Sequence, residues 1–112
     1  MLRVLFSPPA DGPWNMAVDL ALLRSVGARR SPPTLRLYRW RGPWVSIGYS
    51  QPPGAAVDLP ACRELGCGLV RRPTGGKGLL HGFDLTYSLT LPADHRISRL
   101  GVEGSYEAIS RV

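Results

Sequence analysis

Lysine and cysteine are nearly absent from this chain of 112 residues: Lys77 is the one lysine, and Cys62 and Cys67 are the two cysteines. Two cysteines cannot build the disulfide framework that holds small secreted domains together. Placed with His81 and His95, they do not have zinc-ligand spacing. No apolar run approaches the ~20 residues that a bilayer-spanning helix needs, so no membrane partner is expected. The first nine residues hold too short an apolar stretch for a secretory signal, which makes the expected location cytoplasmic. Acidic groups are also scarce. Eight stand against fourteen basic ones, leaving a formal charge of +6. A basic surface favours anionic partners such as phosphates, acidic proteins or nucleic acid.

The length suits one domain. Hydrophobic residues make up 44% of the chain, ordinary for a globular protein and too many for a disordered one. Residues 2–6 read as a strand. A helix follows over 14–26, with Asp11 or Asn15 as its cap and Met16, Leu20 and Leu23 as its apolar stripe. Residues 34–40 alternate as a strand, with Leu35 and Leu37 on one face and Arg36, Tyr38 and Trp40 on the other. Gly42 and Pro43 signal a turn into a second strand over 45–49, expected to pair with the first as a hairpin. On that strand Ser46 and Gly48 leave one face nearly bare, where a ligand or a second backbone can come close. Residues 51–54 read as loop. Asp58 caps a short helix with Pro60 in its first turn, and Gly66 ends it. Strands are expected from Leu69, around Leu79 to Gly82, and from Asp84 to Leu91; Val102 to Val112 has a helical pattern that runs to the last residue without a stop signal. Such an unfinished helix is expected of a truncated frame or a fragment. The mixture of elements argues for an α+β fold with a mixed, mostly antiparallel sheet flanked by helices.

The richest stretch runs from Arg71 to Ser88. Gly75, Gly76 and Gly78 fall within four positions, between two strands and beside Arg72 and Lys77. Glycines at this density cost chain entropy and bare backbone N–H groups, which is useful for holding an anion. The two arginines before the loop and the lysine within it suit a carboxylate or a phosphate. The pattern is not a P-loop: Gly78 rather than serine or threonine follows Lys77, and a strand follows rather than a helix. It is not a dinucleotide fingerprint either, because His81 stands where the third glycine belongs. A plain hairpin turn with exposed basic side chains is the competing explanation.

The segment resembles the signature of the lipoate–protein ligase and octanoyltransferase family, within the biotin/lipoate ligase catalytic-domain superfamily. The match falls on Arg71, Arg72, Thr74, Gly75, Gly76 and His81, and on residues 85–88, LTYS. Residues 15–19, NMAVD, and the stretches 35–40 and 45–51 are similar to the family's first helix and first hairpin. Lys77, Gly78 and Gly82 depart from the ligase pattern and approach that of an octanoyltransferase branch, whose continuation is lacking here.

The resemblance implies that residues 1–112 form the N-terminal portion of a catalytic domain like those of biotin ligases and class II aminoacyl-tRNA synthetases. It implies attachment of lipoate or octanoate to a lysine of a lipoyl carrier domain or glycine cleavage H protein. Ligases use ATP and Mg²⁺; octanoyltransferases use neither and take the acyl group from acyl carrier protein. Arg72, Thr74, Gly75, Gly76, Lys77, Gly78, Leu79, Leu80 and His81 would then bind the acyl or acyl-adenylate ligand. The guanidinium of Arg72 would face the ligand, Leu79 and Leu80 would border the acyl chain or adenine, and His81 would fix the loop or touch the ligand. The family's catalytic lysine or cysteine lies downstream of the loop. No residue here matches it, so little turnover is expected from this chain unless a second polypeptide supplies that part. Two other classes stay open: a non-catalytic relative that binds acyl groups or carriers, and a small nucleic-acid-binding module. The latter draws on residues 36–44, where arginines alternate with aromatics.

Overall fold

The computed structural model of the chain describes residues 1–111. In chain order it runs β1 (Arg3–Phe6), α1 (Gly12–Gly27), β2 (Thr34–Tyr38), β3 (Trp44–Ile47), α2 (Pro53–Ala56), α3 (Leu59–Glu64), β4 (Gly68–Arg71), β5 (Leu79–His81), β6 (Thr86–Thr90), a 3₁₀ turn (Ser98–Leu100) and α4 (Gly101–Ser110). The α+β class holds, and the strands divide into two three-stranded sheets, ordered β1-β2-β6 and β4-β3-β5. Each sheet has one parallel and one antiparallel pairing. Among the described residues no helix is long and apolar enough to cross a membrane. Val112, the expected end of the last helix, lies outside the described residues.

Two expectations are overturned here. β2 and β3 do not form a hairpin. The chain turns at Gly42, whose φ of 78° suits glycine, and leaves one sheet for the other. β2 pairs with β1 and β6, while β3 pairs with β4 and β5. Residues 51–54 are also not all loop, since Pro53 opens the single turn of α2.

α1 starts where its cap signal says. The Asp11 carboxylate accepts the Trp14 N–H at 2.8 Å, and Pro13 sits in the first turn. Its buried stripe differs from the apolar one. Gly12, Asn15, Met16, Leu22 and Val26 are buried, whereas Leu23 is exposed. The reason is Arg36, which is 0% exposed on the β2 face against α1. Its guanidinium donates to Asn15 Oδ1 at 2.8 Å, Asn15 O at 3.1 Å, Asp19 Oδ1 at 2.9 Å and Ser7 Oγ at 2.9 Å. It also lies 3.8 Å from the centre of the Tyr38 ring. Asp19 accepts from Tyr38 Oη and Ser88 Oγ as well, both at 2.8 Å. A buried charge is tolerable only when paired and hydrogen-bonded, so helix and strand are held in one register by this network. Burial, with the Asp19 carboxylate next, pushes the Tyr38 phenol far above its ordinary range.

The apolar core joins α1 to residues of both sheets. Met16, Tyr38 and Trp40 form its centre, and Trp44 and Val70 pack against it. Trp44 fits because two glycines flank it: a Cβ at Gly12 or Gly68 would strike its indole. These contacts bury two of the aromatics of residues 36–44 and half-bury Trp44. Tyr38 and Trp40 are 3% and 4% exposed, so they offer no stacking platform to a nucleic acid base.

Candidate functional site

Gly75, Gly76, Lys77 and Gly78 lie in the connection from β4 to β5. This connection is not a hairpin turn, because β4 and β5 are on opposite sides of β3. The loop therefore crosses the end of β3, and it does so in close contact. A Cβ at Gly48 would overlap the carbonyl of Gly76. The bare position, one residue past the end of β3, thus admits a second backbone, one of the two occupants its sequence allows. Gly76 has a φ of 100°, a conformation open to glycine and strained for other residues.

Arg72 wires the loop from inside. Its Nη1 donates to Ser46 O at 2.9 Å and Ser46 Oγ at 2.7 Å; its Nη2 donates to Gly75 O at 3.1 Å and Lys77 O at 2.6 Å. Burial pulls the Arg72 pKa below its ordinary value. Arg71 braces the facing segment in the same manner, donating from Nη1 to the carbonyls of Gly48, Tyr49 and Gln51 at 2.7–3.1 Å. Both arginines of the motif are spent on backbone carbonyls, and Arg72 faces the loop's interior. Tyr49 N–H donates to Thr74 O at 2.8 Å and closes the loop's base.

This wiring sets the polarity of the loop. In a trans peptide, the C=O of one residue and the N–H of the next point opposite ways. Arg72 holds the carbonyls of Gly75 and Lys77 inward, and the Gly76 carbonyl packs on Gly48. The amides of Gly76, Gly78 and Lys77 consequently turn outward, on a stretch exposed from Gly75 to Leu80. Among the described residues none of these three amides donates to another group of the chain. Such a row of outward amides beside one lysine is suited to an anion. Leu79 and Leu80, 55% and 74% exposed, follow it directly. Leu80 also borders an open concavity of ≈650 Å³ with Gly42, Pro43, Gly82 and Phe83.

His81 takes the supporting position. It is 6% exposed and stacks on Trp40, with ring centres 4.1 Å apart. Nε2 meets Ser46 Oγ at 2.7 Å and Nδ1 meets Asp84 Oδ2 at 2.8 Å. Asp84 also accepts from the Gly82 N–H at 3.0 Å and Thr86 Oγ1 at 2.8 Å, and Thr86 accepts from Trp40 Nε1 at 2.8 Å. Burial pushes the Asp84 carboxyl up, but the hydrogen bonds from His81, Gly82 and Thr86 outweigh it and bring the pKa to about 2. Ser46, His81 and Asp84 have the order of a nucleophilic relay, yet Ser46 is fully buried and its oxygen accepts from Arg72. An enclosed oxygen so engaged cannot reach a substrate, and the trio acts as a brace. The sequence marks Ser46 only as a small residue on a bare face and Thr86 only as part of residues 85–88, and the bracing role of both, with Asp84, is seen first in the structure. The spacing of Asp84, three residues beyond His81, was the one signal available.

An α+β domain of two small sheets, with a glycine loop wired across the end of one of them, is of the biotin/lipoate ligase type, and solved structures share it. One is a lipoate protein ligase from T. acidophilum with bound lipoic acid (TM-score 0.71, 34% identity, 84% of this chain and 39% of that one). Another is a lipoate–protein ligase A bound with ATP (TM-score 0.61, 32% identity, 78% of this chain and 35% of that one). The family model described as the lipoyl protein ligase A/B catalytic domain matches residues 11–112, and the chain belongs to that family. Among curated relatives, an octanoyltransferase LipM from Moorella thermoacetica is 40% identical over 97% of this chain. The chain spans 40% of the length of that relative.

Proposed function

We propose that this chain is the acyl-binding portion of a lipoyl- or octanoyl-attachment domain, and that its chemistry is acyl transfer of the octanoyltransferase type. The observation that carries this is that Arg72 engages the carbonyls of Gly75 and Lys77 while the amides of residues 76–78 donate to no other described group. A thioester or mixed-anhydride carbonyl gains negative charge on oxygen as it is attacked, and pre-oriented amides stabilise that charge without reorganisation. Lys77 adds a cation to the same rim, and Leu79 gives an acyl chain an apolar surface beside it. In this reading Arg72 and His81 are positioning residues. Arg72 holds the loop's carbonyls, and His81 holds Ser46 for Arg72. The 40% identity to an octanoyltransferase favours an acyl group delivered on acyl carrier protein and passed to a carrier-domain lysine. ATP enters only in the ligase form of the chemistry, where an adenylate phosphate would occupy the same amides.

Cys62 and Cys67 do not fill the role of the family's acyl-accepting cysteine. Cys67 immediately precedes β4, whose far end carries the loop. At ~3.3 Å per residue that is the length of the strand away.

Calorimetric titration of the folded chain with octanoate, lipoate and an octanoyl-adenylate analogue tests the assignment. Binding is expected for at least one of them, and Gly76→Ala, strained at a φ of 100°, should weaken it tenfold or more. Absence of heat with all three ligands overturns the reading. Tight binding of the adenylate alone would move the assignment to the ligase branch.

A further inference from the structure

α3 ends in a motif that the acyl-transfer reading leaves unused, and the inference drawn from it stands independently of that reading. Beyond Glu64 the chain passes through Leu65 to Gly66, whose φ is +66°. The Gly66 N–H donates to Arg63 O at 3.2 Å, and the Cys67 N–H donates to Cys62 O at 2.8 Å. These are the two bonds of a Schellman cap, which brings the side chains of its first and last residues together. That contact is ordinarily apolar. Here both members are cysteines, both are free thiols, and both are partly buried. Burial raises the Cys67 thiol pKa, and neighbouring Cys62 raises it further. Cys67 Sγ also lies 3.7 Å from the carbonyl of Gly68, the first residue of β4.

We propose that Cys62 and Cys67 form a reversible dithiol–disulfide site that staples the end of α3 to the start of β4. The Cys67 N–H to Cys62 O bond already closes the backbone turn between them. The oxidant is a low-molecular-weight disulfide. The Cys62 thiolate attacks one of its sulfurs, forming a mixed disulfide and releasing one small thiolate. Cys67 then loses its proton to that thiolate and attacks the Cys62 sulfur, expelling the second. Two cysteine thiols are oxidised, and one small disulfide is reduced to two thiols. Cys67, whose thiolate burial disfavours, is the slower of the two to attack the small disulfide, which leaves it the second role. A short closed loop yields less stabilisation than a long one, which keeps the bond exchangeable. Its place at the end of β4 opposite Arg71 and Arg72 leaves the glycine loop's own contacts untouched.

The test equilibrates the folded chain in graded ratios of oxidised to reduced glutathione, quenches with acid, alkylates with N-ethylmaleimide and reads mass. Trypsin cleaves after Arg63, between the two cysteines, so the disulfide appears as peptide 42–63 joined to peptide 64–71. The expected result is a monomer lighter by two hydrogens, with this linked pair, that reverts fully in reduced glutathione. Cys62→Ser should abolish the linked pair and leave at most a single glutathione adduct. Three results overturn the proposal: both cysteines alkylated at every ratio, separate glutathione adducts on each without ring closure, or cross-linking only between chains.

Discussion

Arg72 Nη1 and His81 Nε2 converge on a single oxygen, Ser46 Oγ, each at 2.7 Å. Arg72 has only protons to give, so Ser46 Oγ accepts from it and shares its second bond with His81 Nε2, while His81 Nδ1 meets Asp84 Oδ2. One hydroxyl thereby joins the glycine loop, which Arg72 holds, to β5 and to the start of β6. The loop's outward amides depend on this atom although it lies beneath them.

Ser46→Ala removes that junction. Arg72 keeps its bonds to the carbonyls of Ser46, Gly75 and Lys77, but its Nη1 and His81 Nε2 each lose a partner in a buried setting. The expected loss of stability is about 1–3 kcal/mol, the cost of a stranded polar group. Urea unfolding followed by tryptophan fluorescence measures it. Acyl-ligand affinity should fall as well, since the loop is no longer anchored to β3, whereas Ser110→Ala on exposed α4 should change neither.

Gly48→Ala tests the crossing of loop over strand. The added methyl would overlap the Gly76 carbonyl, and that neighbour is backbone, which cannot swing aside. Overpacking of this kind costs about 1–3 kcal/mol. Displacing Gly76 also turns the amides away from their set, so ligand binding should drop more than stability does. Gly75→Ala is the control, because a Cβ there meets nothing within 4 Å. Thermal melts and calorimetry on both variants separate the two effects.

The elements themselves were largely legible, because their signals are local. Asp58 caps α3 through the Ala61 N–H at 3.1 Å, Pro60 and Gly66 bound it, and alternation marks β2 and β6. The loop's position was legible from its glycines for the same reason. Pairing was not, since adjacency in sequence favours a hairpin and nothing local says that β2 and β3 go to different sheets. The α1 stripe differs from its apolar pattern because polar groups, not apolar ones, set part of the buried face. Asn15 and Asp19, four apart on the helix, and Arg36 and Tyr38, two apart on the strand, each define one face, and their polar complementarity outweighs Leu23. The inward turn of Arg72 was illegible for a further reason: its partner Ser46 is 26 residues away, on another strand.

Asp84 gives the fold a distinct acid limb. Its carboxyl titrates at about 2, below the ordinary aspartate value of 3.8. A depressed folded-state value means that the carboxylate's contribution is complete above the unfolded pKa and disappears as pH falls through the folded one. The window is therefore from about pH 4 down to about pH 2. Stability should fall across that interval in the wild type. In Asp84→Asn the curve should start lower and lose part of that slope, with the remainder belonging to other carboxylates such as Asp94 beside Arg29. Denaturant midpoints at pH 5, 4, 3 and 2 decide it. Equal slopes in the two proteins would show that the His81–Asp84 contact carries no linkage.

Arg36 and Asp19 provide the most severe test of what holds the two layers together. Arg36 is completely enclosed and Asp19 is 11% exposed, so each neutralises a charge the other could not bury alone. Arg36→Met leaves the Asp19 carboxylate facing Tyr38 and Ser88 without its cation, and removes the donors to Asn15 and Ser7. Breaking one side of such a pair costs about 3–5 kcal/mol, much of the total stability of a small domain. Asp19→Asn strands the guanidinium and should cost a comparable amount. The double variant Arg36→Met/Asp19→Asn should be more stable than the sum of the single losses, because no uncompensated charge remains inside. Full additivity in a double-mutant cycle would mean that the two side chains act separately, and that the register of α1 on β2 is set by Met16 and Val26 packing instead.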